Sequence, residues 1–412
     1  MKNQNRKIPK IRFNNSKIDW QQVKFKNLLN LKEGIRRGPF GSALKKELFV
    51  QNSEYVVYEQ QNAIYDHFNT RYRISEEKYH ELKKFILLHG DFIMSGAGTI
   101  GKISLVPEGI KKGVFNQALI RLRVNRNTDK EFFLQWMRSP EMQNKLTKAN
   151  PASAMVNLVP MSEVKEWEVI VPSLDEQSAI GSLLRTLDEL LASYKDNLAN
   201  YQSLKATMLS KMFPKAGQNV PEIRLDGFEG EWEIKRADEI FKSVSEKNKA
   251  FLPVLSASQI DGMVLRDEIG INIKYDEATL NNYKVVKPGQ FVIHLRSFQG
   301  GFALSKLEGI TSPAYTIIDF IDKENNLSDF WNSILTSRDF IKRLETVTYG
   351  IRDGKSISFK DFSSLKFVFP EFKEQQAIGA YFSNLDNLIN SYQEKISQLV
   401  ILKKKLLQDM FI

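Results

Sequence analysis

The sequence predicts an α+β fold in which two similar globular segments are each followed by a long helix. Three observations carry this. The stretch from Val171 to Leu198 recurs without a gap from Phe369 to Ile396, so that Pro172 meets Pro370, Glu176 and Gln177 meet Glu374 and Gln375, and Gly181 meets Gly379. Both copies space their apolar residues by alternating threes and fours. The segments ahead of the copies match as well: PKIRF with Trp20 pairs with PEIRL with Trp232, GDFIMS from Gly90 with GQFVIH from Gly289, and Ser139 with Ser337. Self-similarity over such lengths marks a duplicated unit.

Composition bounds the rest. At 412 residues, 42% hydrophobic and 26% charged, the chain has material for more than one core and reads as globular. Its longest apolar runs, such as Phe85 to Leu88, are too short to span a bilayer. The basic start MKNQNRKIPK lacks the apolar stretch of a signal peptide, so a cytoplasmic location is expected. The absence of cysteine removes disulfides, thiolates and Cys-type zinc sites. The net charge is +10, and between Lys2 and Leu48 there are 13 Lys or Arg against three acids. Such an excess suits a polyanion, with counterion release supplying affinity.

In the first helix Leu184, Leu187, Leu191, Tyr194, Leu198 and Tyr201 form a seam. Phe382, Leu385, Ile389, Tyr392, Ile396 and Leu399 repeat it in the second. This is the a/d spacing of a coiled coil. Ser173 with Glu176 behind Pro172 reads as a capping box, while Glu371 leaves the second start less marked. Two amphipathic helices in one chain are expected to pair, antiparallel, because each must return to its own globular segment. The expected molecule is an intramolecular antiparallel coiled coil with a pseudo-two-fold axis, able to turn two similar domains onto inverted half-sites of a duplex.

The globular segments mix strands (Glu54 to Gln60, Lys102 to Val106, Ala118 to Val124) with helices (Asp129 to Ser139, Leu327 to Leu344). Their loops are the expected sites of DNA readout. RRGPFGSALKK supplies Arg36, Arg37, Lys45 and Lys46, and EQQNAIY supplies the amides Gln60, Gln61 and Asn62, with Arg71 and Arg73 beyond it. Thr99 lies within the GAGTIG turn and Lys102 follows it, and FNQAL adds Asn116 and Gln117. The second segment offers Gln259, Arg296, Ser297, Gln299, Arg352, Lys355 and Ser356. Asn and Gln suit adenine edges, Arg suits guanine, and Lys mostly holds phosphate.

Several motifs point elsewhere and fail on their context. GAGTIG (96–101) fits the dinucleotide fingerprint, yet KISLVPEG follows it where a helix should open. GIRDGKS has Tyr349 where a phosphate loop requires Gly, and NPAS departs from the N-P-P-aromatic methyltransferase motif at Ala152 and Ser153. Four histidines and no cysteine leave no catalytic constellation or metal site.

Two variable segments, each followed by a copy of one helix with the lead-in P-x-x-x-E-Q-x-A-I at Pro172 to Ile180 and Pro370 to Ile378, resemble the specificity (S) subunit of type I restriction–modification systems. GPFGSALKK, EQQNAIY, GTIGKISLVPEG and NQAL resemble its target-recognition domains. The resemblance implies a non-catalytic subunit with recognition domains at residues 1–172 and 215–370, a central helix at 173–214 and a C-terminal helix at 371–412. It implies that each domain reads one half of a bipartite, asymmetric DNA site. The helices would set the spacer and dock two methyltransferase (M) subunits. Those use S-adenosylmethionine to methylate adenine, and the motor-nuclease (R) subunits use ATP and Mg²⁺, so no cofactor is expected in this chain. A coiled-coil scaffold, or a DNA-binding protein outside restriction–modification, is the alternative.

Overall fold

The computed structural model describes residues 9–13, 19–97, 99–147, 160–258, 261–269, 277–294, 301–347 and 358–411. The chain forms two compact units, Met1–Lys195 with Glu394–Ile412, and Asp196–Gln393. Each contains part of both long helices, which run from Leu174 to Lys211 and from Phe372 to Asp409.

Unit 1 is built on an antiparallel sheet in the order Ile35–Arg37, Leu119–Leu122, Phe92–Ser95, Ile103–Leu105. One face packs on the helix Lys130–Arg138, and its apolar residues join Trp20, Phe25, Ile180, Leu184 and Leu187 in the main core. The other face meets a second sheet of Phe49–Val50, Tyr72–Ile74, Val56–Tyr58 and Gly113–Phe115, whose last pair is parallel. Unit 2 repeats the first sheet with Phe241–Val244, Thr316–Phe320, Phe291–Ile293 and Phe302–Leu304. In each unit a two-stranded ribbon leads into the long helix: Gln21–Lys24 pairs with Glu168–Val171, and Glu233–Arg236 with Lys366–Phe369.

The repeated lead-in is explained by what its residues touch. Glu176 lies almost fully buried and accepts a two-pronged hydrogen bond from Arg12, at 2.9 and 2.7 Å. Glu374 accepts the same from Arg224, at 2.8 and 2.6 Å. The carboxylate pushes both guanidiniums further above their ordinary pKa. Gln177 donates to the Pro172 carbonyl and accepts from the Asp129 N–H, and Gln375 does so with Pro370 and Leu327. Each Gln thus ties the helix start to the start of a helix in its own unit. Gly181 permits the approach: a Cβ there would lie 2.6 Å from the Phe132 nitrogen. The capping box expected at Ser173 is half formed. The Ser173 hydroxyl accepts from the Glu176 N–H, but the Glu176 carboxylate is committed to Arg12.

The seam is used twice. Leu184, Leu187 and Leu191 are buried and Tyr194, Leu198 and Tyr201 half-buried, and Phe382, Leu385 and Ile389 against Tyr392, Ile396 and Leu399 divide the same way. Within unit 1, Asp188 pairs with Lys403 and the Tyr194 ring faces Lys395, so the two stretches run antiparallel. Within unit 2, Lys205 pairs with Asp386 and Tyr201 packs on Tyr392 in the same sense. Each helix therefore packs on its own globular segment first and on the other helix later. The helix ends close the cores: Met410 and Phe411 are buried in unit 1, with Phe411 5.6 Å from Phe132. In unit 2, Met212 is buried and Phe213 stands 5.8 Å from Phe330.

Local structure departs from the sequence expectation at two places. The strand expected over Glu54 to Gln60 is confined to Val56–Tyr58, because Glu59 caps a helix at Gln60–Tyr65. The helix expected over Leu327 to Leu344 is two, Ser328–Leu335 and Arg338–Val347, since the Ser337 hydroxyl accepts from the Phe340 N–H and starts a second one.

Arg224→Ala leaves a buried carboxylate without its partner and is expected to cost about 3–5 kcal/mol. Arg224→Lys, which keeps charge but not the two-pronged geometry, should cost less. Urea unfolding midpoints of the full chain check both.

Candidate nucleic-acid interface

Four loops of unit 1 that are remote in sequence are hydrogen-bonded into one cluster. The Gly38 N–H donates to the Leu119 carbonyl at 2.9 Å, and the Gly96 N–H to the Ala118 carbonyl at 2.7 Å. The Asn116 N–H donates to Tyr58 O at 3.0 Å, just before the helix of Gln60 and Gln61. The Gln60 side chain donates to the Ala97 carbonyl and, at 3.4 Å, to that of Thr99. So Arg36 to Lys46, Glu59 to Tyr65, Gly96 to Lys102 and Asn116 to Ala118 share one region.

Within it the predicted residues have different fates. Arg37, Lys45, Lys46, Thr99, Lys102 and Gln117 are exposed, and Gln61 and Asn116 half-buried. The Asn116 oxygen accepts from the Ala118 N–H, and Gln61 reaches Glu59 at 3.4 Å. Asn62 is fully buried: its oxygen accepts from the Glu59 N–H and its amine donates to the carbonyls of His67 and Asn69, both at 2.8 Å. It holds the turn and has no surface to offer a base. Arg71 is exposed but held by Glu59 at 2.9 and 3.2 Å, and Arg73 donates to the Ser53 carbonyl at 2.7 Å. Gln259, Arg296, Ser297, Gln299, Arg352, Lys355 and Ser356 lie outside the described residues.

Beneath the cluster the charges are sorted. Arg123 binds Asp91 at 2.6 and 2.8 Å and Glu33 at 2.5 Å, and the Asp91 hydrogen bond raises its pKa. Arg121, 2% exposed, reaches Glu33 at 3.2 Å, and burial together with Arg123 lowers its pKa. Arg36 stands directly opposite Arg121 across the strand pair, and its Nε has no hydrogen-bond partner among the described residues. Three cations meet two carboxylates, and the carboxylates are spent on the deeper pair. The excess positive charge is left to Arg36 and the exposed cations around it.

The described residues of GAGTIG (96, 97 and 99–101) lie between the paired strands Phe92–Ser95 and Ile103–Leu105. Gly101 has φ +77°, the left-handed region that favours glycine, and a strand follows it, so no helix N-terminus is offered to a pyrophosphate. Among the described residues no cluster of His, Asp and Glu would hold a metal, and no helix is long and apolar enough to cross a membrane.

The chain matches the model of the type I restriction modification DNA specificity domain twice, over residues 17–200 and 229–400. It belongs to that family. The specificity subunit is 20% identical over 356 residues to the protein described as the type I restriction enzyme MjaX specificity subunit of Methanocaldococcus jannaschii, covering 81% of this chain and 80% of that one. The crystal structure of the S subunit of the type I restriction–modification system from M. genitalium shares its fold, with a TM-score of 0.60 at 17% identity over 98% of this chain and 99% of that one. A specificity subunit is the non-catalytic recognition member of its system.

The residues that sequence reasoning missed here are Arg121, Arg123, Glu33 and Asp91, whose partnerships span up to 90 positions, and Phe40, which is 89% exposed amid the basic loop. Asn62→Ala leaves buried backbone groups unpaired and is expected to cost about 1–3 kcal/mol, read in thermal unfolding. Gln117→Ala, on the surface, should leave unfolding unchanged to within about 0.5 kcal/mol.

Proposed function

We propose that the specificity subunit reads a bipartite, asymmetric DNA site, one half with each globular unit, and docks methyltransferase (M) and motor-nuclease (R) subunits. The loop cluster of unit 1 carries the reading. Arg36, Arg37, Lys45, Lys46 and Lys102 suit phosphates, which position a protein on a duplex, while Gln117, Gln61 and Thr99 suit base edges, which specify sequence. Gln259, Arg296, Ser297, Gln299, Arg352, Lys355 and Ser356 are the corresponding candidates of unit 2. Because the loops of the two segments differ in sequence, the two half-sites are expected to differ. The recognition domains are taken as residues 1–172 and 215–370, with the helices at 173–214 and 371–412.

Docking of two M subunits is supported by matched exposed leucines on the two long helices. Unit 1 exposes Leu190 and Leu402, at 37% and 45%, and unit 2 exposes their sequence equivalents Leu388 and Leu204, at 41% and 37%. S-adenosylmethionine, ATP and Mg²⁺ belong to the partner subunits in this reading.

In cells carrying the subunit with its partners, N6-methyladenine should map to a split motif with a fixed gap, and replacing the first globular segment with that of a relative should change one half only. A continuous motif would falsify the bipartite reading. Arg36→Ala with Arg37→Ala should weaken binding and reduce the slope of log affinity against log salt by about 1–2, measured by titration at several salt concentrations.

A further inference from the structure

Phe40 is 89% exposed, and a large ring left in water forgoes burial that almost any packing would supply. Its loop is not loose. Pro39 beside it is buried, the Gly38 N–H is bonded to the Leu119 carbonyl at 2.9 Å, and the Phe40 carbonyl accepts from the Ala43 N–H at 2.9 Å. A Cβ on Gly38 would lie 1.9 Å from the Asn116 carbonyl oxygen, so the segment is pressed onto the strand loop that carries Gln117. The ring is thus presented by a pinned turn. Its own stretch of chain is cationic: Arg37, Lys45 and Lys46 are all exposed, and no acid occurs from Gly34 to Lys46. A protein pocket would accept such a ring, but this rim favours a polyanion with apolar faces inside it, which describes a duplex.

We propose that Phe40 is a base-stacking residue of the first half-site, entering the duplex against an opened base step while Arg37, Lys45 and Lys46 hold the neighbouring phosphates. The inference rests on the DNA-reading function proposed above. Apolar wedges of this kind unstack a step and kink the duplex, and an aromatic ring on a base is worth about tenfold to a hundredfold in affinity.

The test uses the full chain assembled with its methyltransferase subunits. The probe is a duplex bearing the mapped methylation motif, with 2-aminopurine placed in turn at positions other than the methylated adenine. Wild-type protein should alter fluorescence at one step of one half-site. Phe40→Ala should lose about tenfold or more in affinity and lose that signal, with the salt slope unchanged because no charge is removed. Phe40→Trp should restore both. The inference is overturned if Phe40→Ala binds and signals as wild type. It is equally overturned if the variant instead lowers the unfolding temperature, which makes the ring packing, or weakens assembly with the methyltransferase subunits, which makes it a protein contact. A wild-type complex that binds no duplex specifically overturns the broader DNA-reading function as well, and does so before any variant is compared.

Discussion

The buried arginine–carboxylate clamp at the start of each long helix is the constraint on which the rest depends. Two charges removed from water are tolerated only with near-ideal geometry and further hydrogen bonds, and both copies meet that demand. Arg12 and Arg224 each place two donors on one carboxylate, while the next residue, Gln177 or Gln375, ties the helix to its globular unit. The clamp joins three pieces of chain that are otherwise separate: the PxIR segment, the helix start and the first turn of a domain helix. It fixes the direction in which the long helix leaves, and the seam positions follow from that direction. The duplicated letters in the sequence are the residues of this joint.

What the joint leaves free is the opposite end of the central sheet. There the chain changes direction in loops whose hydrogen bonds run to one another's backbones, so side chains can vary without unpicking the fold. Charge is sorted by depth. Glu33 and Asp91 are consumed by Arg121 and Arg123, and the outward cations of the Arg36 to Lys46 loop have no carboxylate of their own between Gly34 and Lys46. A surface with such an excess of cations suits a polyanion, whose binding gains affinity by counterion release.

The large-scale organisation was legible in the sequence because it is periodic. The offset repeat marked the duplication, and the three-four spacing marked the seam from Leu184 to Tyr201 and from Phe382 to Leu399. The matched PKIRF and PEIRL segments were visible too, but their meaning was not, since the partner of Arg12 is Glu176, 164 positions away. The same limit governed the loops. Asn62 reads as an amide in a polar loop, and only the carbonyls of His67 and Asn69 make it internal. Arg71 and Arg37 are equivalent in sequence terms, yet Glu59 neutralises the first. Single residues were legible where their role is set by periodicity and illegible where it is set by a partner folded in from elsewhere. Phe40 is the converse case: an apolar letter reads as core, and only its exposure sets it apart.

The closing of the cores explains why the helices repeat so faithfully while the loops do not. The first long helix begins on the core of unit 1 and is followed by Met212 and Phe213 in the core of unit 2. The second begins on the core of unit 2 and is followed by Met410 and Phe411 in the core of unit 1. The core of unit 2 lies within Asp196–Gln393, whereas that of unit 1 is completed by Met410 and Phe411 from the far end of the sequence. A change in helix length or register would shift a Met–Phe pair out of one core and an Asp–Lys pair (Asp188 with Lys403, or Asp386 with Lys205) out of alignment at once. Loop substitutions carry no such coupling. Stability therefore constrains both helix copies together and leaves each set of loops free to vary separately.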